Sequence, residues 1–176
     1  MVDTQTLITQ ILEAFAEVRF PGDDNLAINT YGDEAPALIA EFTGKDDWRS
    51  LDPKFLDQAP DGWANALCFF SAAARQFYLP AYLIADLREQ LEEQDPAFIL
   101  TTSLTPNADR ERIARIWGGG TMGERARESF DFYSSAQAQV IVDYLFWKLE
   151  DRWYDAGIEH ALEHYWLPRV LDSNMQ

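Results

Sequence analysis

Residues that build covalent cross-links or metal sites are scarce in this chain, which has one cysteine and two histidines among 176 residues. The lone Cys68 cannot form an internal disulfide, which suits a reducing compartment. No apolar run approaches the ~20 residues that a membrane-spanning helix needs. The start of the chain has neither the basic residues nor the apolar stretch of a signal peptide. We therefore expect a cytoplasmic protein that does not enter a membrane.

Basic residues are also few. The chain has 14 of them against 30 acidic residues, for a net charge of −16. The imbalance is concentrated in residues 1–100, which carry 18 acidic and 6 basic side chains. Such a field repels nucleic acid and anionic membranes and favours basic protein partners. Several interpretations stay open: the acidity only keeps the protein soluble, or it forms an inhibitor surface, or a mimic of nucleic acid, that faces a basic partner.

Strand signals are rare, whereas aromatic and aliphatic residues are plentiful enough for one hydrophobic core. Six Trp, seven Tyr and eleven Phe argue against a disordered chain. We predict a mainly α fold, a single-domain helical bundle over residues 1–176 with little or no sheet. Apolar residues surround two segments, about 71–94 and 135–154, which predicts two buried central helices. A mobile loop is predicted near 118–130.

Local signals predict the other elements. A first helix is expected over Thr4–Val18, a short one over Ala35–Phe42, and another from Asp52-Pro53, where a cap precedes proline. Further predictions are a helix over Asn107–Trp117, an extended segment at Phe98–Leu100, a cap at Ser71, a capping box from Ser134 to Gln137, and a final helix that begins after Asp155 and stops at Pro168.

His160-Ala-Leu-Glu163-His164 is the motif with the most direct chemical interpretation. Two histidines four residues apart share a helical face and can bind one zinc ion, and the string fits the H-x-x-E-H pattern of inverted zinc peptidases. Such enzymes take a third ligand from a later helix, and only twelve residues follow His164. The alternative is an exposed polar face. His160 and His164 are thus the only metal-ligand candidates, and we assign no catalytic residue.

Two further motifs favour structural interpretations. Gly118–Gly123 satisfies G-x-G-x-x-G, but a predicted helix precedes it where a nucleotide-binding site would have a strand. We therefore expect a flexible loop and no cofactor. Cys68 lies between Leu67 and Phe69, and we expect a buried, unreactive thiol there.

The candidate interaction residues come from two acidic stretches. Asp23, Asp24 and Asn25 follow Pro-Gly in a turn, and they lack the ligand spacing of an EF-hand. Exposed acids on a rigid turn suit contact with a basic partner. The second stretch is Asp46-Asp47-Trp48, and we assign all six residues to a candidate interaction surface.

Several motifs together resemble an uncharacterised bacterial domain family of unknown function. They are the F-P-G-D-D-N loop at Phe20–Asn25, the F-F-S and F-Y-L-P-A-Y-L segments at 69–71 and 77–83, the S-x-x-Q box at 134–137, and A-L-x-x-Y-W at 161–166. The family often has Ser-Pro where this chain has Ser71-Ala72. The resemblance implies that the chain is one domain, and it implies no activity and no catalytic residues.

These observations favour an acidic intracellular protein-interaction domain without catalytic activity, with an immunity, antitoxin-like or regulatory role towards a basic partner. One alternative is a subunit of a larger assembly, since seventeen aromatic residues lie between Ala64 and Trp166 and some could form a contact patch. Another alternative is a metal-dependent hydrolase that uses His160 and His164. The partner is expected to be a protein, with no direct contact to nucleic acid or membrane.

Overall fold

The computed structural model describes residues 3–28, 33–58, 66–115, 118–151 and 155–173. Within these ranges the backbone forms helices, turns and irregular segments, and no strand is present. Extended pairing there is confined to two isolated bridges, Ala27 with Phe70 and Arg112 with Thr121. The prediction of a mainly α fold with little or no sheet is confirmed.

The helices follow one another in chain order. They are α1 (Thr4–Ala14), α2 (Glu34–Phe42), α3 (Pro53–Leu56), α4 (Ala66–Phe69), α5 (Ala72–Leu87), α6 (Pro96–Thr101), α7 (Met122–Phe130), α8 (Ser135–Asp151), α9 (Ala156–Ala161) and α10 (Leu167–Ser173). Short 3₁₀ turns lie at Asp23–Asn25, Trp48–Ser50 and Thr102–Leu104, and a π-helical segment, Leu162–Trp166, connects α9 to α10.

The chain divides into two compact units. The first, Ile11–Pro96, is called the 11–96 unit here. The second combines Met1–Gln10 with Ala97–Gln176 and is called the C-terminal unit. The expectation of one domain over residues 1–176 stays a prediction.

Helix α5 is the buried helix of the 11–96 unit. Every position from Phe77 to Leu87 is buried, including Pro80 in the helix interior. Ser71 begins the helix as predicted, because its hydroxyl accepts a hydrogen bond from the Ala74 N–H at 3.1 Å. The predicted segment about 71–94 is too long, because the chain turns out of the helix after Leu87.

An aromatic cluster fills the interior beside α5. The ring of Phe42 lies 4.8–4.9 Å from the ring centroids of Phe55, Phe70 and Tyr78. Aromatic pairs at such distances add stabilisation to that of the buried area itself. The predicted cap at Asp52 brings Phe55 into this cluster by starting α3 with Pro53.

Asp57 anchors the segment that follows α5. Its carboxylate accepts hydrogen bonds from three successive backbone N–H groups, those of residues 92, 93 and 94, at 2.9–3.0 Å. Charge-assisted hydrogen bonds of this kind are stronger than neutral ones. They fix the irregular chain between α5 and α6.

Helix α8 is the long buried helix of the C-terminal unit. The predicted capping box is confirmed: the Ser134 hydroxyl accepts from the Gln137 N–H at 3.2 Å, and the Gln137 side chain accepts from the Ser134 N–H at 3.0 Å. Its buried residues include Ala138, Val140, Ile141, Val142, Tyr144 and Leu145. The predicted end, at residues 152–154, lies outside the described residues.

Trp166 organises the aromatic contacts of the C-terminal unit. It is fully buried, and its ring centroid lies 5.1 Å from that of Phe130 and 6.2 Å from that of Tyr133. Its indole N–H donates a hydrogen bond to the Leu100 carbonyl at 3.0 Å. A large ring with a satisfied polar atom therefore lies at the centre of this core.

The predicted loop near 118–130 is wrong for most of its length, because α7 occupies Met122–Phe130. The overlooked signal is a second capping box, in which Thr121 accepts from the Glu124 N–H and Glu124 accepts from the Thr121 N–H. The loop is thereby limited to the glycines before Thr121. Its mobility stays a prediction.

Three other local predictions are wrong. Where a helix is predicted, residues 107–110 form turns and residues 111–115 are mostly irregular with one isolated bridge at Arg112, and residues 116–117 lie outside the described part. Phe98–Leu100 belongs to helix α6 and is not extended. Pro168 does not stop the last helix, because the π-helical segment before it shifts the hydrogen-bond pattern and places the proline in the first turn of α10.

Candidate functional site

The two acidic stretches meet in the 11–96 unit. Gly22 adopts a φ of 87°, which turns the chain so that Asp23 begins a 3₁₀ turn. The Asp23 carboxylate accepts a hydrogen bond from the Gly44 N–H at 2.9 Å. Residues 23–25 and 46–47 are therefore adjacent, and we call them the acidic loop pair.

Tyr78 of the buried helix α5 lies close to both loops. Its hydroxyl donates to the Lys45 carbonyl at 2.8 Å, which fixes the second loop to the buried helix. Burial is the main cause that raises the pKa of Tyr78, and the nearby carboxylates of Asp23 and Asp46 raise it further. Both carboxylates thus act on the same hydroxyl, one from each loop.

The residues of the acidic loop pair divide into structural and free groups. Asp47 caps the Trp48–Ser50 turn by accepting from the Arg49 N–H at 3.0 Å, and the Asn25 side chain donates to the Pro21 carbonyl at 3.1 Å. Asp24 and Asp46 are exposed, and their carboxylates accept no hydrogen bond from any described residue. These two carboxylates remain available to another molecule.

Trp48 is buried, although the sequence makes it a candidate contact residue. Its side chain is only 2% exposed, so it belongs to the interior and not to the acidic surface. The cap made by Asp47 turns the chain there. Trp48 lines a cavity instead.

This cavity has a volume of about 170 Å³ and lies within the 11–96 unit. Its apolar wall includes Leu56 and Ile84, and its polar lining comprises Arg49, Arg88 and Gln90. The Arg49 guanidinium lies 4.5 Å from the centroid of the Trp48 ring, a cation–π arrangement. Small-molecule sites are typically clefts of about 300–1,000 Å³ with a few polar groups among apolar ones, so this smaller cavity suits only a small ligand.

Glu89 connects two of the cavity's polar residues in a strained conformation. Its φ of 56° is in the left-handed region, and it ends α5 in a Schellman turn in which the Gln90 N–H donates to the Ala85 carbonyl at 2.9 Å. Glycine is the usual residue at this position because a side chain is disfavoured there.

We expect Glu89→Gly to raise the free energy of unfolding by about 1 kcal/mol, because glycine removes the left-handed penalty. Urea denaturation measures the change. Glu89→Ala is the matched control, which keeps the strain and should leave stability nearly unchanged. A Glu89→Gly protein that is less stable than the parent would contradict the assignment of strain to this residue.

His160 and His164 lie side by side as their spacing predicts. Their ring centroids are 4.2 Å apart, and the His164 Nε2 is 3.8 Å from a carboxylate oxygen of Glu163. Among the described residues, no group of three or more His, Cys, Asp or Glu side chains is arranged to hold a metal ion. A third ligand for this pair is thus not found in that part of the chain.

The other sequence motifs are also placed by the structure. Cys68 is exposed, so the expectation of a buried thiol is wrong, although partial desolvation still raises the pKa of the thiol against the opposing charge of Arg75. Gly118–Gly120 all have positive φ values and form a turn. The residues before them include one isolated bridge and no strand among those described, so the G-x-G-x-x-G string lacks the context of a nucleotide site.

Sequence reasoning did not find the cavity. Its lining comes from α1, the 48–56 stretch and the end of α5, three segments that no local pattern connects. Arg49 and Arg88 are ordinary surface arginines by sequence. The only local hint is that Arg49 follows a tryptophan.

The fold and these sites define a helical, strongly acidic protein with an exposed acidic loop pair and a small arginine-rimmed cavity. The chain belongs to the Family of unknown function (DUF6714), whose model matches residues 3–170. The predicted resemblance to an uncharacterised family is therefore confirmed. No curated protein and no solved structure matches the chain.

The motifs that carry the resemblance hold the fold together. Ser71 of the F-F-S motif donates from its hydroxyl to the Asn25 carbonyl at 2.6 Å, and Phe20 packs edge-on against Phe77 at 5.4 Å. The F-P-G-D-D-N loop is thus fixed to the start of α5.

None of the helices in the described part of the chain is both long enough and apolar enough to cross a membrane.

Proposed function

We propose that this protein is a non-catalytic interaction domain that binds a basic protein partner in the bacterial cytoplasm, in an immunity, antitoxin-like or regulatory role. The observation that carries the proposal is the acidic loop pair, in which Asp24 and Asp46 are exposed and unpaired among the described residues. Their neighbours Asp23 and Asp47 hold the loops in place.

The charge of the surrounding unit supports the same role. The 11–96 unit has 17 acidic and 6 basic residues, a net charge of −11 out of the chain's −16. A field of this sign attracts cationic surfaces and accelerates their association. The lone cysteine of the chain suits a reducing compartment.

The rigidity of the loops also favours binding. The hydrogen bonds that the Gly44 N–H donates to Asp23 and that the Tyr78 hydroxyl donates to Lys45 order the loop backbone before any partner arrives. Binding therefore does not have to order these residues, which lowers the entropic cost of association. Exposed acids on an ordered support are more effective than the same acids on a disordered tail.

We expect the double variant Asp24→Asn/Asp46→Asn to reduce the rate of association with the partner by about tenfold, since steering depends on local charge. The partner is first captured from a lysate of the source organism by immobilised protein at ~0.1 M salt, and it should be lost at ~1 M salt, where the Debye length falls to about 3 Å. Surface plasmon resonance with the purified partner then gives the rates.

The matched control is Glu128→Gln/Glu150→Gln, which makes the same change in net charge at two exposed acids outside the loop pair. This control should keep most of the association rate. Equal losses in both double variants would assign the effect to overall charge. Recovery of no partner at either salt concentration would count against the interaction role itself.

Exposed apolar side chains favour a second function, that of a subunit in a larger assembly. In the C-terminal unit Phe132 is 60% exposed, Phe98 is 53% exposed and Phe146 is 46% exposed. Exposed apolar side chains mark a protein–protein contact where they form one contiguous patch. Sedimentation of the purified chain as a defined oligomer would favour this alternative.

A further inference from the structure

We propose that the cavity of the 11–96 unit binds a small monocarboxylate with an apolar body, such as an arylacetic acid. The proposal is independent of the acidic loop pair. It concerns a different kind of recognition, in which an acidic protein binds an anion. It depends on the charge, the size and the hydrogen-bonding capacity of the cavity lining.

The first argument is the position of the arginines. Two of the six basic residues in the unit, Arg49 and Arg88, line the same cavity, whereas none of its 17 acidic residues does. The Arg88 guanidinium is exposed and forms no hydrogen bond or ion pair with any described residue. Guanidinium groups bind carboxylates through paired N–H donors.

The neighbours of Arg49 hold its guanidinium in place but do not use all of its hydrogen-bond donors. Its guanidinium lies on the Trp48 ring, with one terminal nitrogen 3.5 Å from the Ala16 carbonyl and another 3.9 Å from an Asp47 carboxylate oxygen. These are long contacts for a group with five donors. Most of its hydrogen-bonding capacity is therefore left for a ligand.

The second argument is the apolar wall. Leu51, Pro53, Leu56, Ala81 and Ile84 contribute apolar surface to the lining of the cavity. An apolar cavity of about 150 Å³ is known to hold a benzene ring. The 170 Å³ here therefore fits one six-membered ring or a branched chain of similar size.

The third argument is an unsatisfied donor. The indole N–H of Trp48 has no hydrogen-bond partner among the described residues, although the side chain is 98% buried and lines the cavity. A buried donor without an acceptor is costly, and native proteins rarely leave one. Because this nitrogen is closed to water, an acceptor oxygen in the cavity removes that cost only if the lining around Trp48 opens towards it.

The charge of the ligand follows from the two arginines in the lining and from the net negative charge of the 11–96 unit. A cation would be repelled by the two arginines, and a neutral molecule would leave Arg88 without a charged partner. A dianion such as phosphate would be repelled more strongly than a monoanion by the net charge of −11, and it would leave the apolar wall uncovered. A monocarboxylate with an apolar body matches both the arginines and the apolar residues of the lining.

The test is a titration of the full chain with phenylacetate, followed through the Trp48 indole N–H signal in ¹H–¹⁵N NMR spectra. The signal is assigned by its disappearance in Trp48→Phe. We expect a saturable shift with a dissociation constant on the order of 1 mM for a ligand of this size. Benzyl alcohol has the same ring without the charge. It should bind at least tenfold more weakly than phenylacetate, because it cannot make a charge-assisted hydrogen bond with the arginines.

Arg88→Met keeps an apolar stem but removes the charge, and it should weaken phenylacetate binding by about tenfold. The matched control is Arg19→Met, which removes one exposed arginine of the same unit that does not line the cavity. It should bind phenylacetate like the parent. No saturable shift, equal binding of benzyl alcohol, or equal weakening in both variants would overturn the proposal.

Discussion

Replacement of Trp166 by alanine is expected to lower the free energy of unfolding by about 4 kcal/mol. This value is the middle of the range measured for truncation of large buried aromatics. Trp166 is fully buried, and it contacts Phe130, Tyr133 and Tyr165. The truncation removes the shared partner of these rings and opens a cavity among them. Since a domain has a net stability of about 5–15 kcal/mol, a change of this size removes a large fraction of it.

Trp166→Phe separates the two contributions of this residue. It keeps a ring in the core but leaves the buried Leu100 carbonyl without its indole donor. Loss of that one hydrogen bond is expected to cost about 1–3 kcal/mol, less than the full truncation. Urea denaturation followed by circular dichroism gives both values, and equal effects of the two substitutions would contradict the packing role.

The second large effect is expected at Phe42, the centre of the aromatic cluster in the 11–96 unit. Phe42 is 2% exposed and touches the rings of Phe55, Phe70 and Tyr78. Phe42→Ala should lower the free energy of unfolding by about 3–5 kcal/mol through lost contacts and a new cavity. Phe42→Leu, which retains most of the volume, should cost less than half of that.

These two substitutions also test the predicted single domain, because they lie in different units. If residues 1–176 fold as one cooperative domain, Trp166→Ala and Phe42→Ala each shift one common unfolding transition. Each variant is therefore followed by tryptophan fluorescence and by circular dichroism. Two separate transitions, with each substitution shifting only one of them, would show that the units unfold independently.

Helix class and helix starts could be predicted from the sequence because they depend on neighbouring residues. The capping residues Asp52, Ser71, Ser134 and Asp155 act within three positions of their own helix. Helix ends were predicted less well. Helix α5 ends at a left-handed glutamate, Glu89, where sequence rules expect glycine, and Pro168 is accommodated by a π-helical segment.

The candidate sites could be predicted only in part, because they depend on contacts between residues that are far apart in the sequence. The sequence predicts the two acidic stretches as candidate surface, but their proximity depends on tertiary contacts such as the hydrogen bond between Gly44 and Asp23, 21 residues apart. Trp48 could not be told from an exposed contact residue, because its burial depends on packing against distant parts of the chain. The cavity could not be predicted at all, since its charged residues, Arg49 and Arg88, meet only through the tertiary fold.

The measurement that tests the proposed function most directly is the association rate of the purified partner across a series of salt concentrations. The proposed role predicts a rate that falls steeply with salt in the parent and in Glu128→Gln/Glu150→Gln, and a clearly shallower slope in Asp24→Asn/Asp46→Asn. Dissociation rates should change little. A rate independent of salt, or the same slope in all three proteins, would contradict the role of the acidic loop pair.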